Sequence, residues 1–88
     1  MIQQTLNALS DPTRREILKM LKKGAKTTGE ISERFDISLP AISRHLSVLR
    51  EAELVSTYRE GKFVIYGLNE QPLEDLWAWI RDFLRDNN

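Results

Sequence analysis

Apolar residues recur at helical spacing through the first fifty positions, give way to a β-branched and aromatic run, and return to helical spacing at the end. Ile2, Leu6 and Leu9 share one face of a short helix that must dock on something, because eight residues are too few to hold a helix alone. Ser10-Asp11-Pro12 restarts the chain, with Asp11 as N-cap and Pro12 at the first helical position. That second helix runs to about Lys23, turns Ile17, Leu18 and Leu21 inward with Met20 filling gaps, and stops at Gly24. Thr27-Thr28-Gly29-Glu30 is a capping box, Thr27 serving the Glu30 amide and the Glu30 side chain reaching back. The short third helix carries Ile31 and Phe35 at i, i+4, and Asp36-Ile37 is a tight turn. Ser38 then caps a fourth helix, which tolerates Pro40 in its first turn and points Ile42, Leu46 and Leu49 at a core.

From Leu54 the period changes. Leu54 to Tyr58 and Phe63 to Tyr66 are strand-like, and Arg59-Glu60-Gly61-Lys62 between them is a hairpin tip with Gly61 at positive φ. With Glu60-Gly61 as the two-residue loop, Arg59 and Lys62 lie opposite each other, which is unfavourable unless an anion sits beside them. Gly67-Leu68-Asn69 ends the second strand, and Gln71-Pro72 introduces a last helix over about Leu73 to Asp86. Its apolar positions form two adjoining stripes, Leu73, Trp77, Ile80 and Leu84 beside Leu76, Trp79 and Phe83. Either both stripes close over one small core or part of this arc meets a partner; two tryptophans and a phenylalanine favour the partner. The expected fold is mainly α with a β-hairpin wing, a winged helix-turn-helix in the order α-α-α-α-β-β-α. It forms a single domain over residues 1–88, with the helix-turn-helix at 28–51, the wing at 54–68 and dimerisation helices at 1–9 and 73–86.

Composition narrows the function. The 88 residues suit one domain near the lower limit for a single core, and burial in a dimer would help it. The absence of cysteine leaves no disulfide framework or thiolate ligand and favours a reducing, cytoplasmic setting. The N-terminus lacks the pattern of a signal peptide, and no apolar run is long enough to cross a bilayer, so no membrane insertion is expected. Net charge is zero, but residues 1–68 carry +3 and residues 69–88 carry −3, which gives phosphate a basic body to meet.

The candidate chemistry is DNA reading. The open side of the fourth helix holds Ala41, Ser43, Arg44 and Ser47, small or polar residues around one arginine whose fork suits guanine or phosphate. Arg44, Ser43 and the turn of Ser38, Leu39, Pro40 and Ala41 are the expected groove contacts. Arg59 and Lys62 are expected contacts from the wing. Arg14 and Arg15, in a first turn where the helix dipole disfavours cations, are either a solvated pair or a phosphate contact. His45 flanks the core face and is expected to be structural. It has no cysteine partner, and Ser43 and Ser47 at i−2 and i+2 do not face it, so no enzyme is expected.

These segments resemble the ArsR-type winged-helix repressors. The resemblance rests on Ser10-Asp11-Pro12-Thr13-Arg14-Arg15-x-Ile17-Leu18, on Ile42-Ser43-Arg44-His45-Leu46-x-x-Leu49, and on the Gly61-Lys62 wing tip with Tyr66. Within the family the chain resembles the short, metal-free autorepressors of the SdpR type. The resemblance implies a bacterial homodimer on an inverted-repeat DNA operator, with groove contacts from Ser38 to Arg44 and wing contacts from Arg59 to Lys62. The dimer face would take Ile2, Leu6, Leu9, Leu76, Trp77, Trp79, Ile80 and Phe83. Metal-sensing members place a Cys-x-Cys pair where this chain has Thr27 and Gly29, or histidine and carboxylates on the terminal helices. Here that helix has no histidine, and Glu74, Asp75 and Asp82 by themselves make no selective transition-metal site, so neither metal nor cofactor is expected. A regulatory protein partner is one remaining source of control. The alternative is a winged-helix module that binds proteins without reading DNA.

Overall fold

The computed structural model describes residues 2–85, over which the chain runs α1 (Ile2–Leu9), α2 (Pro12–Lys22), β1 (Lys26–Thr27), α3 (Thr28–Ser32), α4 (Leu39–Glu51), β2 (Val55–Glu60), β3 (Phe63–Leu68) and α5 (Gln71–Arg85). Position 1 and the expected helix end at Asp86 lie outside the described residues. The order is that of a winged helix-turn-helix with one addition. Thr27, expected as the cap of the third helix, and Lys26 before it also pair with Ile65 and Tyr66 and make a three-stranded antiparallel sheet in the order β1-β3-β2. Two residues are too few to show a period-2 pattern, which is why the strand is invisible in the sequence.

The helix starts follow from local chemistry. Asp11 accepts from the amides of Thr13 and Arg14 at 2.8 and 3.1 Å. Thr27 and Glu30 complete the capping box, the Thr27 amide reaching Glu30 Oε1 at 2.8 Å and the Glu30 amide reaching Thr27 Oγ1 at 3.1 Å. The last helix begins at Gln71, two residues earlier than expected, because Pro72 lies inside its first turn, where a missing N–H leaves no bond unmade.

α4 ends in a Schellman motif. Leu54 N–H donates to Leu49 O at 3.0 Å and Glu53 N–H to Arg50 O at 2.9 Å, with Glu53 at φ 59°, a conformation usually left to glycine. Asn69 clasps this turn from the far end of β3, its Nδ2 donating to Glu53 O at 2.7 Å and its amide to Leu54 O at 2.8 Å. The turn thereby sets the angle between α4 and the hairpin.

Ile17, Ile31, Ile42, Leu46, Leu49 and Leu54 form the fully buried centre, drawn from α2, α3, α4 and the start of the wing. α1 buries Thr5 and Ala8 fully and packs Leu9 of its apolar stripe against this core, while α5 has no fully buried residue and packs Leu73 against it. The radius of gyration is 14.4 Å, against about 12 Å for a compact chain of this length. The domain is drawn out to 53 Å along its longest axis.

Candidate nucleic-acid interface

α4 presents two faces. Ser38, extended at φ −68° and ψ 155°, accepts the Ala41 amide on Oγ at 3.3 Å and the Ile42 amide on its carbonyl at 3.0 Å. The helix buries Ile42, Leu46 and Leu49. At about 100° per residue, Leu39, Ser43, Ser47, Pro40 and Arg44 follow one another around an arc of roughly 140°, and all of them are exposed. Ala41 lies across the helix from Leu39 and is half-buried, so of the expected groove residues it is the least available. Ser47, four residues after Ser43, extends the open arc and belongs with the set. Arg44 makes no ion pair or hydrogen bond with the described residues, so its fork is unspent.

The wing differs from expectation in register. Glu60 pairs with Phe63 and Arg59 with Val64, so the two-residue loop is Gly61-Lys62. Gly61 has φ +62° and Lys62 is not among the positive-φ residues, the pattern of a type II′ turn with glycine first. Arg59 and Lys62 therefore do not oppose each other, and no anion is required between them. Lys62 Nζ stands 5.8 Å from the centre of the Phe63 ring, and Arg59 is exposed with no partner among the described residues. Both cations remain available to a ligand.

Arg14 and Arg15 are engaged elsewhere. Arg14 donates from Nε to Ala8 O and from a terminal nitrogen to Asn7 O, both at 2.9 Å, and Arg15 donates to Leu9 O at 2.7 Å. The two side chains cap the last carbonyls of α1, where a helix dipole welcomes cations. The relevant helix end is thus that of α1 and not the start of α2. The other terminal nitrogen of Arg14 lies 3.1 Å from His45 Nδ1, and the same histidine nitrogen is 3.9 Å from Asp11. Every guanidinium nitrogen of Arg14 faces a protein partner, and His45 is half-buried beside it. For Asp11, partial burial acts to raise the carboxyl pKa. The Arg14 amide, the charge of His45, the Thr13 amide and the charge of Arg14 together outweigh it, and the net shift is below the ordinary 3.8.

A second surface lies on the terminal helices. With Thr5 and Ala8 turned inward, Leu6 is 46% exposed and Ile2 and Leu9 are half-buried. On α5, Leu73, Leu76 and Ile80 are half-buried, while Trp77, Trp79, Phe83 and Leu84 are exposed. The inner stripe is therefore Leu73-Leu76-Ile80, and Trp77 belongs to the outer set. Trp79 and Phe83 stack with ring centres 5.4 Å apart. Among the described residues no three His, Cys, Asp or Glu side chains converge in a way that could hold a metal, and no helix is long and apolar enough to cross a membrane.

Known proteins share this architecture. Residues 11–57 match the family described as bacterial regulatory protein, arsR family. The transcriptional repressor SdpR of Bacillus subtilis is 46% identical over 83 residues, covering 94% of this chain and 92% of that protein. A probable mercury resistance operon repressor of Streptomyces lividans is 38% identical over 80 residues, which cover 91% of this chain and 64% of that protein. The crystal structure of an ArsR family transcriptional regulator superposes with a TM-score of 0.88 at 28% identity, over 94% of this chain and 86% of that one.

Proposed function

The chain belongs to the ArsR family of bacterial regulatory proteins and is a DNA-binding transcriptional repressor, and from that membership we propose that it works as a homodimer on an inverted-repeat operator without a metal. The observation that carries the reading is the exposed arc on α4 with an unspent Arg44, joined by the unspent cations Arg59 and Lys62 on the wing. Counterion release at Arg59 and Lys62 gives salt-dependent affinity. Leu39, Pro40, Ser43, Arg44 and Ser47, behind the Ser38 cap, sort sequences in the major groove. Arg14 commits three of its five N–H groups within the fold and Arg15 one, so each keeps donors for a phosphate.

The aromatic outer face of α5 with Leu6 of α1 supports the two-fold partner, because an apolar surface of this kind is covered in water. The dimer contacts proposed are Ile2, Leu6, Leu9, Leu76, Trp77, Trp79, Ile80 and Phe83. Metal independence is supported by Thr27 and Gly29 at the cysteine positions, neither of which can supply a soft ligand. No catalytic step is proposed, and the site of action is the cytoplasm, with the DNA. A protein-binding module without DNA readout is not favoured, since the relatives are repressors. Selection of bound duplexes from a random pool tests the whole reading. It should return a palindrome with half-sites about one helical turn apart; a single unrepeated motif would rule out the two-fold arrangement.

A further inference from the structure

Leu39 departs from the logic of its own helix. Three residues before Ile42, it lies on the stripe that Ile42, Leu46 and Leu49 bury, yet it is 63% exposed. The first turn of α4 outruns the core, and the backward tilt of Cα–Cβ carries its side chains further toward the helix start. Ile37 in the preceding turn is 43% exposed, and Pro40 is exposed next to Leu39. A lone surface leucine needs no explanation. Here, though, Ile37 precedes the cap and Leu39 and Pro40 open the helix that carries Ser43 and Arg44, and no charged residue occurs from Ile37 to Ser43.

In the major groove the base edges offer donors, acceptors and one distinctive apolar group, the 5-methyl of thymine. We propose that Leu39 reads a thymine methyl at one position of each site on which α4 docks. Arg44, roughly 140° further round the helix, reads a separate position through its fork. The two side chains divide the readout into an apolar and a hydrogen-bonded part. This inference rests on α4 being the reading helix, and the test keeps the two apart.

Two random duplex pools, one containing thymine and one with uracil throughout, are selected in parallel with the full chain. Uracil differs from thymine only in lacking the methyl. In the enriched thymine duplex, changing the one critical thymine to uracil should weaken binding about fourfold per docked helix, while uracil at other positions has no effect. Leu39→Ala, at an exposed site where alanine is a good helix former, should bind the thymine and uracil duplexes equally. Equal binding of both duplexes by the unaltered protein, with sequence preference otherwise kept, overturns the methyl contact. So does full methyl discrimination by Leu39→Ala. If neither pool is enriched at all, it is the DNA-reading role of α4 that fails, and the methyl contact with it.

Discussion

Arg14 donates to His45 Nδ1 across 3.1 Å, and the same guanidinium holds the carbonyls of Asn7 and Ala8. A guanidinium can only donate, so in the neutral ring Nδ1 accepts this bond and the proton sits on Nε2. One side chain thus ties the end of α1 and the start of α2 to α4. Arg14→Ala leaves two carbonyls without their charged donor and should destabilise the fold by about 2 kcal/mol. Arg14→Lys should recover little, since one ammonium cannot span a planar fork's three acceptors. Urea unfolding measures both; an unchanged midpoint for Arg14→Ala would mean that the clamp contributes nothing.

Asp11 makes the stability depend on acid. Its folded pKa lies below 3.8, so the unfolded chain takes up the proton more readily, and stability rises with pH wherever that difference is felt. The contribution is fully present above the unfolded value and is lost as pH falls through the lower folded one. Asp11→Asn keeps a good N-cap but cannot titrate. Urea midpoints between about pH 2.5 and 5 should fall for the parent chain more steeply than for Asp11→Asn. Parallel curves would assign the acid limb to other carboxylates.

Much of this fold could be read from periodicity and caps, because those signals are local. Asp11, Thr27 and Ser38 each announce a helix start within three residues, and Ile42, Leu46 and Leu49 declare their face by spacing alone. What escaped was set at a distance. The destination of Arg14 depends on the end of α1 lying beside it and on a histidine 31 residues away. The inward face of α1 depends on small Thr5 and Ala8 fitting where Leu6 does not, with only Leu9 of the expected stripe packed on the core, and periodicity prefers the larger residues. The hairpin loop slipped by one residue because Gly61 can serve as either loop position, and only the pairing of Glu60 with Phe63 decides between them.

Glu53 holds a glycine's place. At φ 59° it sits in the left-handed region, which costs an L-residue roughly 1–2 kcal/mol. The Schellman bonds and the Asn69 clasp hold it there. Glu53→Gly relieves the strain but adds freedom to the unfolded chain, so a net gain of about 0.5–1 kcal/mol is expected. Thermal unfolding should show a higher midpoint with unchanged cooperativity. A lower midpoint would show that the glutamate side chain contributes more than its backbone strain removes.

The outer face of α5 supplies the next prediction. Phe83 is 65% exposed and stacked on Trp79, so Phe83→Glu leaves the core untouched. In a dimer it would bury a charge among aromatic rings and should weaken self-association by about 2 kcal/mol or more, near thirtyfold. Sedimentation equilibrium reads this directly. Equal association of the variant and the parent chain would move the two-fold contact away from this helix.

Arg44 and Lys62 should fail in different ways, and the contrast tests how the site divides its work. Arg44 stands on the exposed arc of α4 with its fork free, and in the proposed docking that arc meets base edges. Its loss in Arg44→Ala should cost about 1–3 kcal/mol on the selected duplex and flatten the preference over a scrambled one. Lys62 sits at the second position of the wing turn, a point charge beside Phe63 with no fork to fix a base. Lys62→Ala should weaken selected and scrambled duplexes alike and lower the slope of log affinity against log salt by about one per chain. Gly61 must stay as it is in both variants, because the turn that presents Lys62 depends on its positive φ. If Arg44→Ala lowers both duplexes equally, the arginine holds phosphate and sequence is read elsewhere on the arc. If Lys62→Ala leaves the salt slope intact, the wing tip stands clear of the backbone.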